Sequence, residues 1–150
     1  MPYIKMTELH VIKRDGSKQQ LDLEKIYNWL NWACNGSPEE GLPSIRGVSS
    51  SMIMMRANPK LSAGIKTKDI QEMLIKANEE LITEDTPNYD HVGARLVWGV
   101  VRREAFRSNV PPSLSSVISV NIRKGFYTKE LEDWYSDSEL QYLNSVMVHN

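Results

Sequence analysis

The sequence predicts an α+β fold, in which a bundle of four helices is capped by a small three-stranded sheet and followed by a short helical extension. Three observations support this prediction: a hairpin signal near the start, four segments with apolar residues at helical spacing, and a change of pattern after Pro111-Pro112. A chain of 150 residues can hold one domain with a core and a small appendage.

The sheet begins with a β-hairpin predicted from Glu8 to Leu21. Asp15-Gly16 lies between its two short strands, and this dipeptide is a strong hairpin signal because both turn residues must tolerate a positive φ. The pair 65–66, just before a predicted helix, is expected to add the third strand.

The first helix is predicted to begin after Asp22, whose side chain suits the N-cap position. Ile26, Leu30 and Ala33 recur on one face of this helix, and the segment ends near Gly36, a residue that commonly terminates helices.

The second helix follows a loop at 36–44 that is rich in proline and glycine. We expect this helix to start near Ile45 and to present Val48, Met52 and Met55 on its apolar face.

The third helix has the clearest pattern, with Thr67 as the predicted cap. Its apolar stripe consists of Ile70, Met73, Leu74, Ala77 and Leu81.

The fourth helix is predicted from Thr86-Pro87, a cap followed by proline at the first helical position. It is apolar almost all round from 92 to 101, which predicts the buried centre of the bundle. Its later turns then carry positive charge, which suits a helix C-terminus, on Arg95, Arg102, Arg103 and Arg107.

The extension after the Pro-Pro pair is predicted to be helical at 113–124 and 129–134. A capping box, Ser136 with Glu139, opens the last helix.

Composition excludes several classes of protein. The net charge of −1 and the pI of about 6.3 remove the general basic field of nucleic-acid binders. No apolar run reaches the length of a membrane span, and the start of the chain lacks a signal-peptide core. A single cysteine, Cys34, forms no internal disulfide and favours a reducing compartment. We therefore expect a cytoplasmic protein that binds neither nucleic acid nor membrane.

No catalytic or metal-binding constellation is visible in the sequence. The histidines at 10, 91 and 149 are scattered, and Cys34 has no basic neighbour that would activate its thiol. Neither common glycine-rich phosphate loop is present. The tryptophans at 29, 32, 98 and 134 are interpreted as core or interface residues.

Cations near the hairpin turn are the strongest functional signal. Lys13 and Arg14 precede the turn, where flanking charges are commonly just solvated. Lys25, however, lies in the first turn of a helix, where a cation is unfavourable unless an anion is near. Lys66, Thr67 and Lys68 mark another helix N-terminus, and such termini bind phosphates. These elements are predicted to converge on a polyphosphate.

Three stretches, VIKRDGSKQQLDLEKI, GIKTKDIQEMLIKAN and TPNYDHVGARL with the arginines that follow it, resemble the ATP-cone, the nucleotide-sensing domain of many ribonucleotide reductases. PPSLSSVISVNIRKGFYTKELEDWYSDSEL is similar to the segment that leads into the catalytic barrel of the class I large subunit. The resemblance implies a tail at 1–7, an ATP-cone at 8–107, and a linker with a helical segment at 108–150.

The resemblance also implies a function. The chain would bind ATP or dATP as an allosteric effector, with Mg²⁺ on the phosphates, and would control overall activity through oligomeric state. Its partners would be the remainder of the reductase large subunit, the radical-generating small subunit and further copies of itself. Since the catalytic barrel is absent, the chain should be inactive alone. The alternative is a non-catalytic helical interaction module with a vestigial cone, whose cationic hairpin docks an acidic protein.

Site residues are carried over from the family by position. The resemblance implies nucleotide contacts from Val11, Lys13, Arg14, Gln19, Asp22, Lys25, Ile26, Thr67, Gln71 and Arg103. Many members have Glu and Asn where this sequence has Gln19 and Asp22, a histidine linked to dATP discrimination at Gln71, and a lysine at Arg103. Trp32 and Trp98 lie where aromatic residues serve a second nucleotide in some members, although core packing is the preferred interpretation.

Overall fold

The structure is a computed structural model that describes residues 9–108 and 110–147. The chain forms two compact units, with the boundary between Val101 and Arg102. The predicted tail at 1–7 and the predicted first hairpin residue, Glu8, lie outside the described residues. The family-based boundary after residue 107 stays a prediction.

Among the described residues of the first unit, three strands form a sheet in the order β2-β1-β3. Their bounds are His10–Ile12 for β1, Lys18–Gln20 for β2 and Ile65–Lys66 for β3. The hairpin pair β1 and β2 is antiparallel, whereas β1 and β3 are parallel. The predicted third strand is therefore confirmed, and β1, the strand that leads directly into Lys13 and Arg14, lies at the centre.

The first helix, α1, spans Leu23–Asn35 and agrees with the prediction. The Asp22 carboxylate accepts a hydrogen bond from the amide of Lys25, and the predicted apolar face is buried together with Cys34. Gly36 ends the helix with a φ of 74°, in the left-handed region that favours glycine.

The second helix, α2, spans Ser50–Ala57 and corrects two predictions. It cannot begin near Ile45, because Gly47 has a φ of 74° and interrupts the helical backbone. The predicted apolar face is also wrong for α2, since Met55 is 70% exposed and Met52 is exposed as well, whereas Val48 packs partly buried against the core from the loop before the helix. The buried side chains are instead Ile53, Met54 and Ala57.

The third helix, α3, spans Thr67–Glu79 and buries the whole predicted stripe. Thr67 is not its cap, because Lys66 occupies the N-cap position and makes no side-chain capping bond. The Thr67 hydroxyl instead donates to the carbonyl of Ile12 at 3.2 Å, which joins the start of α3 to the end of β1.

The fourth helix, α4, spans Tyr89–Phe106, so it begins two residues after Pro87. Val92 and Leu96 are fully buried, but Trp98 is 40% exposed, and Val97 and Val101 are also exposed. The prediction of a helix buried all round is wrong, because only the face spaced as 89, 92 and 96 meets the core.

Side chains of α4 and α3 tie the bundle together through backbone groups. Arg95 donates to the carbonyl of Ala33 at 3.1 Å and to that of Pro43 at 2.7 Å. Its positive charge therefore stabilises the C-terminus of α1, whose last turn contains no basic residue. Asn78, fully buried, donates to the carbonyl of Tyr89 at 2.8 Å. These bonds fix the start of α4 and the loop before α2.

Three helices follow α4 in the described part of the second unit. They are α5 at Leu114–Arg123, α6 at Leu131–Trp134 and α7 at Asp137–Val146. The predicted capping box is confirmed, since the amides of Ser136 and Glu139 each bond to the side chain of the other residue. Asn144 accepts a hydrogen bond from the amide of Leu114 at 2.9 Å, which joins α7 to α5.

Candidate functional site

The parallel pairing of β1 and β3 brings the hairpin cations beside the start of α3. Ile12 is the register partner of Lys66. Because β1 and β3 run in parallel, the residues that follow them, Lys13 and Thr67, also lie close to each other. The unpaired N–H groups of the first turn of α3 lie at this end of the sheet. The predicted convergence of a cationic turn with a helix N-terminus is thus present for these two elements.

The turn is built differently from the prediction. The amide of Lys13 donates to the carbonyl of Ser17 at 2.9 Å, and the amide of Gly16 donates to the carbonyl of Lys13 at 3.0 Å. Gly16 has a φ of 82°, whereas Asp15 does not have a positive φ. The loop is therefore a three-residue connection with one left-handed glycine, which needs only one residue in that region.

The Asp15 carboxylate stabilises the turn through hydrogen bonds to Ser17. Its carboxylate accepts hydrogen bonds from the amide of Ser17 at 2.9 Å and from the Ser17 hydroxyl at 2.6 Å. These two bonds, with a smaller contribution from the charge of Lys13, lower the pKa of the Asp15 carboxyl. Lys13 is exposed and makes no ion pair with any residue in the described part of the chain.

The inner face of the sheet carries one polar side chain among apolar ones. Val11 is the register partner of Gln19 on one side and of Ile65 on the other. Cross-strand partners share a face of the sheet, and Val11 is buried in the core. Gln19 is half-buried beside it, so its amide is directed toward the bundle side. Ile65, which the family-based set omitted, belongs to the same row.

Gln71 is a buried polar residue near the start of α3, the helix that follows β3 directly. It lies one turn after Thr67 on α3 and is only 7% exposed. Within residues 9–108 and 110–147 its amide makes no side-chain hydrogen bond. The amide atoms of Gln71 are not among the fully buried polar atoms without a partner, so they can bond to solvent or to a ligand, and the family-based contact with a nucleotide stays a prediction. Ile26, also in the predicted set, is buried in the core cluster.

Asp22 and Lys25 interact with each other at the start of α1. One carboxylate oxygen of Asp22 accepts the Lys25 amide at 3.3 Å, and the other lies 3.5 Å from the Lys25 ammonium. The anion that a cation in the first helical turn requires is therefore, in this structure, the capping residue itself.

Three predicted residues are not joined to this group by the structure. Arg103 lies in the last turn of α4, beyond the boundary between the two units, so its role stays a prediction. Trp32 packs partly buried against the core, and a Cβ on Gly99 would lie 3.4 Å from its ring. Trp98 is 40% exposed on α4. A second nucleotide at these two tryptophans stays a prediction.

Catalytic and metal chemistry find no support in the described residues. Burial raises the pKa of the Cys34 thiol to about 11, which keeps it protonated and unreactive. His10 and His91 are exposed, and the third histidine lies outside the described residues. No group of three metal-ligating side chains occurs in the described ranges. The helices described here include none that is long and apolar enough to cross a membrane.

Comparison with known proteins identifies the family of the domain. The profile of the ATP cone domain matches residues 9–104. The chain is 34% identical over 142 residues to ribonucleoside-diphosphate reductase 1 subunit alpha of Salmonella typhimurium, covering 95% of this chain and 18% of that protein. The identity is 33% with the same subunit of Escherichia coli, over 95% of this chain and 18% of that protein. For subunit alpha of Enterobacteria phage T4 it is 31%, over 96% of this chain and 18% of that protein.

The chain thus spans about a fifth of the length of the curated relatives that it matches. The matched profile covers both the hairpin and α3, the two elements that converge at the candidate site. The chain belongs to the ATP-cone domain family.

Proposed function

We propose that the first unit binds ATP or dATP as an allosteric effector, with the phosphates at the hairpin turn and the adenine near Gln19 and Asp22. Within a ribonucleoside-diphosphate reductase large subunit, this binding would control overall activity through oligomeric state. The partners are then the rest of that subunit, the radical-generating small subunit and other copies of the large subunit.

The observation that carries the proposal is the parallel pairing of β1 with β3. It sets Lys13, an exposed cation without an ion pair in the described residues, next to the first turn of α3. A helix N-terminus offers N–H donors and a partial positive charge, and a lysine adds a full charge. Together these groups would attract a ligand with several negative charges, such as a polyphosphate, more strongly than a ligand with a single carboxylate.

The dimensions of the sheet suit a nucleotide. Leu21 pairs with Leu9 at one end of β1, and Lys13 follows β1 at the other end. Leu9 and Lys13 are four steps apart along the chain, one on each side of β1, which is roughly 13 Å at 3.3 Å per step. An extended nucleoside triphosphate has comparable length, so the base would lie near Asp22 while the phosphates lie near the turn.

The proposed base contacts follow from the hydrogen-bonding pattern of adenine. Adenine offers an amino donor beside a ring-nitrogen acceptor, which requires an acceptor and a donor in the protein. The Asp22 carboxylate can accept and the Gln19 amide can donate. Guanine presents the reverse pattern on that edge, which would leave each mismatched buried group unsatisfied at a cost of about 1–3 kcal/mol.

Gln71 supports a ligand between sheet and bundle. Gln71 as a residue is 7% exposed, and its amide, which makes no hydrogen bond in the described chain, can both donate and accept. A ligand hydroxyl or ring nitrogen would satisfy it. Because many family members have a histidine here, the response to ATP and to dATP must be measured separately.

Mg²⁺ would be held chiefly by the ligand. The described residues offer no cluster of three acidic, histidine or cysteine side chains, and Asp15 is already bonded to Ser17. Mg²⁺ commonly binds through phosphate oxygens and retained waters. It would neutralise part of the phosphate charge, while Lys13 and the start of α3 hold the remainder.

Calorimetric titration of the chain with ATP, dATP and GTP tests the proposal. We expect saturable binding of the adenine nucleotides, and Lys13→Ala should weaken triphosphates roughly tenfold or more while leaving adenosine unaffected. The matched control is Lys18→Ala, because Lys18 is exposed on the same hairpin and pairs with Ile12, on the face opposite Val11. Equal effects of the two variants, or no binding of ATP or dATP at millimolar concentration, would contradict the proposal.

The base contacts have their own test. Asp22→Ser keeps an N-cap but replaces the carboxylate with a shorter neutral hydroxyl. If adenine selectivity over guanine is unchanged in both Asp22→Ser and Gln19→Ala, these two side chains do not read the base.

The rival function, a helical interaction module with a vestigial cone, has one observation in its favour. Val97, Trp98 and Val101 form an exposed apolar face on α4. Under this alternative the hairpin cations would bind an acidic protein, and none of the nucleotides would bind to the folded chain.

A further inference from the structure

We infer that Asp22 and Lys25 form an exchangeable ion pair that couples the two ends of the nucleotide site. A polyphosphate would draw Lys25 away from Asp22, and this would release a carboxylate oxygen for the amino group of adenine. The inference rests on the proposed function and concerns how the phosphate end and the base end of that site communicate.

The two oxygens of the Asp22 carboxylate have different partners. One accepts the Lys25 amide at 3.3 Å and so caps α1. The other lies 3.5 Å from the Lys25 ammonium. Without ligand, the oxygen that would accept the adenine amino group is therefore already occupied by a cation.

Lys25 is free to change partner without disturbing the core. Its side chain is 70% exposed and that of Asp22 is 41% exposed. A surface ion pair of this kind changes an equilibrium by a factor of only roughly two to five. The several charges of a polyphosphate attract a lysine more strongly than one carboxylate does, and the cap through the Lys25 amide is unaffected by the exchange.

The exchange predicts that removal of the Lys25 ammonium has opposite effects on the binding of phosphate and on the binding of nucleoside. A nucleoside without phosphates must compete with the Lys25 ammonium for Asp22, whereas a nucleoside triphosphate removes this competitor itself. Loss of the ammonium should therefore weaken phosphate binding and strengthen nucleoside binding. A lysine that only contacts phosphate would leave the nucleoside affinity unchanged.

The test is titration of the full chain and of Lys25→Met with ATP, sodium tripolyphosphate, adenosine and inosine. Inosine has a carbonyl oxygen in place of the adenine amino group. In Lys25→Met we expect weaker tripolyphosphate binding, adenosine binding tighter by roughly two- to fivefold, and no gain for inosine. In the wild type, saturating tripolyphosphate should tighten adenosine binding by a similar factor, and this enhancement should vanish in Lys25→Met.

Lys60→Met is the matched control, because Lys60 forms an exposed pair with Glu80 at 2.9 Å elsewhere in the same unit. It should alter none of these affinities, and Lys25→Gln should repeat the signs of Lys25→Met. If the wild type binds ATP but adenosine affinity in Lys25→Met is unchanged or lower, or rises equally for inosine, the exchange is wrong and the proposed function stands. If the wild type binds none of the four ligands, the proposed function fails and the exchange fails with it.

Discussion

Replacement of Arg95 by methionine separates a structural cation from the cations of the candidate site. Methionine keeps most of the aliphatic stem but removes the guanidinium that donates to the carbonyls of Ala33 and Pro43 at 3.1 and 2.7 Å. Because hydrogen bonds from a charged donor contribute about 1.5–3 kcal/mol each and water can replace the one at exposed Pro43, we expect a loss of about 2–3 kcal/mol in the free energy of unfolding. That corresponds to roughly 10 °C in melting temperature.

Urea denaturation followed by tryptophan fluorescence measures this loss, since Trp29 and Trp32 pack partly buried against the core on α1. Arg95→Lys keeps the charge but can reach only one carbonyl well, so it should lose about half as much stability. A change below about 0.5 kcal/mol in Arg95→Met, the size of an ordinary surface substitution, would refute the structural role. ATP affinity that falls while the variant remains folded would instead assign Arg95 to the ligand.

Three further outcomes follow from the packing and the caps. Since burial raises the pKa of Cys34 from 9.0 to about 11, its contribution to stability should be present below pH 9 and lost between pH 9 and 11; a Cys34→Ala variant with the same alkaline profile would contradict this. Gly99→Ala places a Cβ 2.9 Å from the indole nitrogen of Trp29 and should cost about 1–3 kcal/mol with a shifted emission maximum; unchanged emission and stability would show that the helices adjust freely. Bonds from the amide and hydroxyl of Ser136 lower the pKa of Glu139, so helicity of the second unit should fall as the pH drops below 4.5, and Glu139→Gln should flatten that titration.

Local signals explain what the sequence predicted well. The Asp15-Gly16 pair, the Asp22 cap and the stripe that begins at Ile70 each depend on residues close in sequence. Even there the turn needed only Gly16 in the left-handed region, because three residues rather than two connect the strands.

Packing direction explains what the sequence missed in the helices. Met52 and Met55 match a helical period as well as Ile53 and Ala57 do, and only the contacts of α2 with α1 and α3 decide which face is buried. Trp98 is an apolar residue, but the periodicity of a helix does not show which of its apolar side chains remain exposed to solvent.

The candidate site, too, could be predicted from the sequence only in part. A pattern of charges identified Lys13 and Lys25 as cations of interest, but it could not show that Lys25 is paired with its own cap while Lys13 is not paired within the described chain. The burial of Gln71 has a sequence signal, because it lies four residues after Thr67 and directly beside Ile70 on α3. Its lack of a partner became visible only with the structure.

The central position of β1 sets the order in which the site can be assembled. β1 meets β2 across a tight turn, whereas 55 residues separate Ile12 from Thr67, its partner at the start of α3. Hairpins form in roughly 1–10 μs, but pairing across a long separation in sequence is slow because the intervening chain must first be ordered. The hairpin is synthesised before the rest of the unit, whereas its contact with the start of α3 requires closure of the long intervening loop. Changes in the length of the segment at 36–64 should therefore alter the rate at which the nucleotide site closes during folding, while its chemical groups stay the same.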